Sequence, residues 1–240
     1  MGKKYAAVVL SAGKGTRMNA EVPKQYLLLE EQPILYYSLR AFQQSMIEEI
    51  ILVCGEEDLA YCHSEIVEKY GFSKVKAVIP GGKERYHSVC YGLQELVQQP
   101  KQPDYVMIHD GARPFVDQGI IARCAKMVEQ GHPCVAGMPV KDTIKIADEH
   151  QFAVDTPKRS LVWQVQTPQA FAFPLILQAY QELLEYEHNG KPVSVTDDAM
   201  VLETVMNKQV RLVEGSYRNI KITTPEDLEI ARVFLREKDK

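Results

Sequence analysis

No apolar stretch in this sequence is long enough to cross a bilayer. The longest runs, Tyr5–Leu10 and Ile50–Cys54, fall far short of the roughly 20 residues that a spanning helix needs. A basic block is missing as well. The 28 Lys and Arg are outnumbered by 32 Asp and Glu, and the net charge of −4 leaves no clustered cationic face for duplex nucleic acid. An anionic ligand must therefore be held by a few placed cations. Cysteine is scarce and unpatterned: Cys54, Cys62, Cys90, Cys124 and Cys134 are odd in number and contain no C-x-x-C pair. That usage suits a reducing compartment, offers no zinc spacing and reads as packing. His63, His87, His132, His150 and His188 show no ligand spacing either. There is no repeat and no Gly, Ser or Pro linker. Lys3-Lys4 before an apolar stretch mimics a secretory signal, but the stretch runs at once into Ser11-Ala12-Gly13; Met1-Gly2 is followed by Ala6 where a myristoylation signal wants Ser or Thr. The cytoplasm is the expected location.

What is present is an ordinary globular composition, 45% apolar and 25% charged over 240 residues, enough for one sizeable core and a single domain over 1–240. Short β-branched runs at 5–10, 49–53, 75–79, 105–109 and 134–138 alternate with segments long enough for crossover helices. This order predicts an α/β fold with a mostly parallel sheet. A helix over 84–98 carries Val89, Leu93, Leu96 and Val97 on one stripe, with Arg85 and Ser88 together on another face. Residues 138–162 break the rhythm. Thr143-Ile144-Lys145-Ile146 alternates, Asp148-Glu149-His150 turns and Gln151-Phe152-Ala153-Val154 continues extended, which predicts an inserted β-hairpin arm. Such a hairpin is marginal alone, so it folds either on its own domain or on a second subunit. Thr224-Pro225-Glu226-Asp227 reads as a helix start.

After the first strand comes Ser11-Ala12-Gly13-Lys14-Gly15-Thr16-Arg17-Met18, a small-residue loop whose amides suit a phosphate. It is not a Walker loop, because Val8 stands where the first Gly belongs and Gly15 where Ser or Thr should follow Lys14. As a dinucleotide fingerprint it is weak, since Met18 replaces the third Gly or Ala. A plain strand-to-helix turn stays open. Arg17 and the following Pro23-Lys24-Gln25 add two cations just downstream of the amides.

That loop resembles the nucleotidyltransferases that join a nucleoside triphosphate to a sugar phosphate. Five further segments are similar to the 2-C-methyl-D-erythritol 4-phosphate cytidylyltransferases of the non-mevalonate isoprenoid pathway: Gly81-Gly82-Lys83-Glu84-Arg85-Tyr86-His87-Ser88-Val89, His109-Asp110-Gly111-Ala112-Arg113-Pro114, Val140-Lys141-Asp142-Thr143, Gln166-Thr167-Pro168-Gln169 and Asn219 to Leu228. Ser11 and Gly111 depart from the Ala that some relatives carry, at positions where contacts come from the backbone. The resemblance implies a Rossmann-like fold, a homodimer joined through the arm, and a transfer from CTP to the sugar phosphate with release of pyrophosphate, assisted by Mg²⁺. It implies that Arg17 and Lys24 hold the triphosphate while Gly13 and Gly15 let the backbone approach, and that Lys221 neutralises the reaction centre from the other side. Ala12, Gly82 and Ser88 would read the base, with Arg85 supporting their loop. Asp110 would serve the ribose or a Mg²⁺ ion. Arg113, Thr143, Arg159 and Thr167 would meet the sugar phosphate. His109 reads as a structural strand end and Trp163 as core. Two rivals stand beside this reading: a ribitol 5-phosphate cytidylyltransferase and a non-catalytic dinucleotide-binding domain.

Overall fold

The computed structural model describes residues 2–13, 23–191 and 193–238. In chain order the elements are β1 (Tyr5–Ser11), the small hairpin β2 (Leu28–Leu29) and β3 (Gln32–Pro33), α1 (Ile34–Gln43), β4 (Glu49–Cys54), the short α2 (Leu59–Tyr61), β5 (Val75–Pro80), α3 (Arg85–Gln98) and β6 (Tyr105–Asp110). There follow α4 (Gln118–Glu129), β7 (Cys134–Pro139), β8 (Ile146–Ala147), β9 (Ala153–Asp155), β10 (Trp163–Ala172), α5 (Phe173–His188), α6 (Asp198–Met206), β11 (Arg211–Glu214) and α7 (Pro225–Lys238). The five expected strands are all present in one seven-stranded sheet ordered β11-β7-β10-β6-β1-β4-β5. Every neighbouring pair is parallel except those of β10, which runs antiparallel to both β6 and β7.

Because side chains alternate across a strand, β1 feeds two cores. Ala7 and Val9 pack with Leu35, Leu39 and Phe42 of α1 and Ile120 and Cys124 of α4. Ala6 and Val8 pack on the other face with Val89, Leu93 and Leu96 of α3, Ile176 and Tyr180 of α5 and Leu202 of α6. The chain moves from β1 to β4 and β5 on one side, then returns to place β6 on the other. This reversal opens a crevice at the carboxyl ends of β1 and β6, where α/β sheets bind ligands.

Two elements depart from expectation. β10 is a central strand despite Pro168, because the ladder to β7 shifts register between Val165 and Gln169, and a bulge asks no donor of proline. The arm is present but short. Only Ile146–Ala147 pairs with Ala153–Asp155 in a two-stranded ribbon, so the alternation from Thr143 yields little strand. Its turn forms where expected: the Asp148 carboxylate accepts the amides of His150 and Phe152. Trp163 is half-buried rather than core, since its register places it at the sheet end opposite Pro139, where the arm departs. All five cysteines are buried and unpaired. At the start of α7, Asp227 accepts the backbone amides of Thr223 and Thr224, one half of a capping box around the expected Thr224 start.

The close approach of α3 to β1 depends on Gly92, where a Cβ would lie 2.5 Å from Val8 Cγ1. Gly92→Val is expected to cost about 3 kcal/mol by overpacking, more than the few tenths of helix propensity it gains. A urea midpoint that does not fall would refute this contact as a packing constraint.

Candidate active site

The crevice is a cavity of about 500 Å³ whose walls come from five stretches of chain. Leu10 to Gly13 leave β1, Lys24 and Gln25 lie in a tight turn, Gly82 to Arg85 and Ser88 surround the amino end of α3, and Asp110 and Ala112 end β6, with Lys221 closing the far side. Several local bonds hold these walls. Gln25 Nε2 donates to the Ser11 carbonyl at 2.6 Å, tying the Lys24 turn to the end of β1. The Ser88 hydroxyl accepts the Gly82 amide at 3.0 Å and folds the loop back over α3. Gly82 admits no side chain, since a Cβ would sit 2.3 Å from that of His87. Glu84 and His87 cap α3 reciprocally, and the start of that helix lines the cavity through Glu84, Arg85 and Ser88.

Asp110 is the most constrained group present. Its Oδ1 accepts from Arg85 Nε at 3.3 Å and its Oδ2 from Lys221 Nζ at 2.8 Å, while Arg113 Nε stands 3.9 Å away. Burial alone would push the carboxyl up, but the positive charges of Arg85, Lys221 and Arg113, with the Lys221 hydrogen bond, overcome it and hold the pKa well below the usual carboxylate range. The Asp110 amide is bonded too, donating to Thr167 Oγ1 at 3.1 Å. Lys221 reaches this position because the amide of Ile222 donates to the Ala112 carbonyl, which pins the 220s to the end of β6.

A second cavity of about 310 Å³ shares Lys221 with the first and is lined by Arg113, Gln164, Gln166, Tyr217, Asn219 and Thr223 among others. Buried Asn219 organises it. Its Nδ2 donates to the Thr167 carbonyl at 2.8 Å and to Gln166 Oε1 at 3.3 Å, and its carbonyl accepts from Arg113 Nη1 at 2.8 Å. Gln166 and Asn219 belong to the quoted motifs, yet nothing in their residue type announced a scaffold. Asp198 and Tyr180, behind Arg85, carried no sequence signal at all.

Most of the expected site residues thus converge. Ala12, Gly13, Lys24, Gly82, Arg85, Ser88, Asp110 and Lys221 line the first cavity and Arg113 the second. Gly15 and Arg17 lie outside the described residues. Thr167 does not line either cavity: it is buried, and its hydroxyl is spent on Asp110 and His109. Thr143 and Arg159 are exposed on the arm, away from both linings, and Arg159 Nη1 donates to the Lys141 carbonyl. Among the described residues no group of three His, Cys, Asp or Glu side chains forms a metal cluster, and no helix is long and apolar enough to cross a membrane.

The family model for 2-C-methyl-D-erythritol 4-phosphate cytidylyltransferase (IspD) matches residues 5–237. The chain belongs to this family. A cytidylyltransferase of that name from Lachnospira eligens is 49% identical over 231 residues, covering 96% of this chain and 98% of that one. One from Caldanaerobacter subterraneus is 44% identical, covering 97% and 99%. The crystal structure of 4-diphosphocytidyl-2C-methyl-D-erythritol synthase from Anaerococcus prevotii superposes with a TM-score of 0.81 at 30% identity, covering 98% of this chain and 96% of that chain. Membership in the cytidylyltransferase family agrees with the α/β architecture and with a cavity lined from the ends of β1 and β6.

His109 is not a base for the chemistry of this cytidylyltransferase. Its Nε2 faces the Arg113 carbonyl, which can only accept, so Nε2 carries the proton and Nδ1 accepts from Thr167. Complete burial pushes its pKa down to about 3. A histidine neutral in the folded chain takes up a proton on unfolding below its ordinary pKa of roughly 6.5, so stability is full above that pH and declines as pH falls toward 3. Between pH 6.5 and 5 the loss is expected to reach up to about 1.4 kcal/mol per unit. Urea titrations across this window should show that slope in the wild type and a shallower one in His109→Gln; equal slopes would contradict it.

Proposed function

We propose that the chain transfers the cytidylyl group of CTP to 2-C-methyl-D-erythritol 4-phosphate, giving 4-diphosphocytidyl-2-C-methyl-D-erythritol and pyrophosphate. The observation that carries this reading is the place of Lys221, which lies in the linings of both cavities and so stands between two anionic substrates. Two unit charges 4 Å apart repel by about 4 kcal/mol at an effective dielectric near 20, so bringing a phosphate to a triphosphate is the main obstacle. A phosphate monoester with a second pKa near 6 is already a nucleophile at neutral pH and needs no protein base. Alignment and cationic stabilisation then carry the rate.

In this scheme CTP occupies the first cavity, with its base against Ala12, Gly82 and Ser88 and its ribose toward Asp110. Gly13, Gly15, Arg17 and Lys24 receive the triphosphate. The sugar phosphate enters from the second cavity toward Arg113 and Lys221. The donor set suits Mg²⁺ bound chiefly by phosphate oxygens, because Asp110 is one hard carboxylate on the cavity wall and magnesium needs only one or two. When bound, the ion would neutralise the phosphates that Asp110 and the cations enclose. Lys221 already holds one Asp110 oxygen, so a direct metal bond would exchange one cation for another.

A single nucleotidyltransferase domain over 1–240 carries the arm at 138–162, and the cytoplasm suits its soluble substrates. The arm extends to a second copy. Phe152, Val154 and Leu161 are 71%, 62% and 75% exposed, an apolar surface that a partner would cover, and Thr143 and Arg159 then complete the partner's sugar-phosphate site.

Pyrophosphate release measured with CTP and either polyol phosphate tests the reaction. Methylerythritol phosphate should be the productive acceptor and excess chelator should stop turnover; preference for ribitol phosphate would replace the reading. Arg17→Ala, Lys24→Ala and Lys221→Ala should each lower kcat by about 100–1,000-fold, as loss of one transition-state donor does, and near-normal kcat in all three would remove them from the mechanism. For the arm, Lys24→Ala and Arg159→Ala subunits, each nearly inactive, are to be mixed after dissociation. Random pairing makes half the dimers mixed, with one intact site each, so about one quarter of wild-type activity should return. No recovery despite subunit exchange would place Arg159 outside the partner's site.

A further inference from the structure

Behind the nucleotide cavity lies a charged pair that the proposed chemistry does not use. Asp198 opens α6 and is fully buried, and it is not part of either cavity lining. Its Oδ1 accepts from Arg85 Nη1 at 2.8 Å and from the Tyr180 hydroxyl at 2.6 Å, and its Oδ2 accepts from Arg85 Nη2 at 2.9 Å. Both ends of the guanidinium fork are therefore engaged, and only Nε is turned to Asp110. α6 is itself fixed: Gln169 of β10 accepts the Ala199 amide at 2.8 Å and donates to Asp197 at 3.0 Å.

We infer that Asp198 is a positioning residue for CTP, locking Arg85 so that it aims Asp110 at the nucleotide instead of competing for the phosphates. An arginine whose side chain is 30% exposed on a cavity built for a triphosphate would, if unpaired, turn toward that anion or chelate both oxygens of Asp110. The bidentate bond to Asp198 forbids both movements and leaves one Asp110 oxygen for Lys221. Tyr180 in turn fixes the carboxylate plane, since its hydroxyl can donate to Oδ1 from the core of α5. The inference rests on the assignment of the first cavity to CTP.

The test measures equilibrium CTP binding by calorimetry alongside steady-state kinetics. Asp198→Asn should raise the Kd and KM for CTP about tenfold while the KM for the sugar phosphate changes less than twofold; Tyr180→Phe should raise the CTP values about threefold. Because Asp198→Asn removes the bidentate half of the Arg85 pairing, leaving Asp110 as its one counter-ion among the described residues, and can unfold the chain, the double variant Arg85→Gln with Asp198→Asn is measured as well. It removes both charges of the buried pair and should raise the Tm above that of Asp198→Asn, short of wild type because Asp110 loses one cation, yet keep the weakened CTP affinity because Asp110 is no longer held. Wild-type CTP affinity in the folded double variant would show a purely structural ion pair and overturn the inference. So would an unchanged CTP Kd in Tyr180→Phe and in folded Asp198→Asn. Wild-type protein that binds CTP without releasing pyrophosphate would instead refute the reaction, and the binding constants would still judge Asp198.

Discussion

A carboxylate taken out of water costs several kcal/mol unless it is paired and hydrogen-bonded, and Asp110 stands buried at the end of a central strand. Its compensation comes from parts of the chain distant in sequence: Arg85 at the start of α3, Arg113 in the following loop, Lys221 beyond β11, and Thr167 of β10 beneath its amide. Satisfying this one charge brings together the walls of both cavities. The same constraint makes the neighbourhood cationic. Against the two carboxylates Asp110 and Asp198 stand Arg85, Arg113 and Lys221, so this cluster retains positive charge at the seam of the two cavities.

That arrangement separates two kinds of cation. Arg85 is held between two carboxylates, whereas Lys221, 38% exposed and paired among the described residues with Asp110 alone, places its ammonium at the seam between the cavities. Arg113 is mostly buried and braced by the Asn219 carbonyl, so it presents a fixed direction to the second cavity. Fixed charges need no reorganisation when a transition state forms, and the proposed transfer relies on such placement rather than on acid or base strength.

β10 lets a parallel sheet deliver residues from the wrong direction. Running antiparallel between β6 and β7, it carries Gln166 and Thr167 up to the ligand end, where parallel strands alone would place only their carboxyl-terminal residues. Gln169, two residues further on, secures α6 and hence Asp198. One reversed strand thus supports Asp110 from below and Arg85 from behind.

Much of this was legible in the residue order. Short apolar runs alternating with helix-length segments marked β1, β4, β5, β6 and β7, because strands buried on both faces read as continuous apolar runs and are joined by helices that cover them. The spaced motifs identified the family and nearly all the residues lining the first cavity, since amides, small residues and a few cations are what a triphosphate demands. β10 was hidden by Pro168, whose cost vanishes only in the bulge that the pairing creates. Trp163 looked like core and lies half-exposed, because register, not residue type, decided its depth. Thr167 was expected to meet the sugar phosphate, and its hydroxyl is bonded to the Asp110 amide and the His109 ring, partners that only the strand pairing brings to it. Asp198 and Tyr180 were silent: an acid at a helix start and a tyrosine on an apolar stripe are common, and only tertiary packing sets them against Arg85. Local sequence determined which chemistry was available; long-range burial of charge decided where each group would stand.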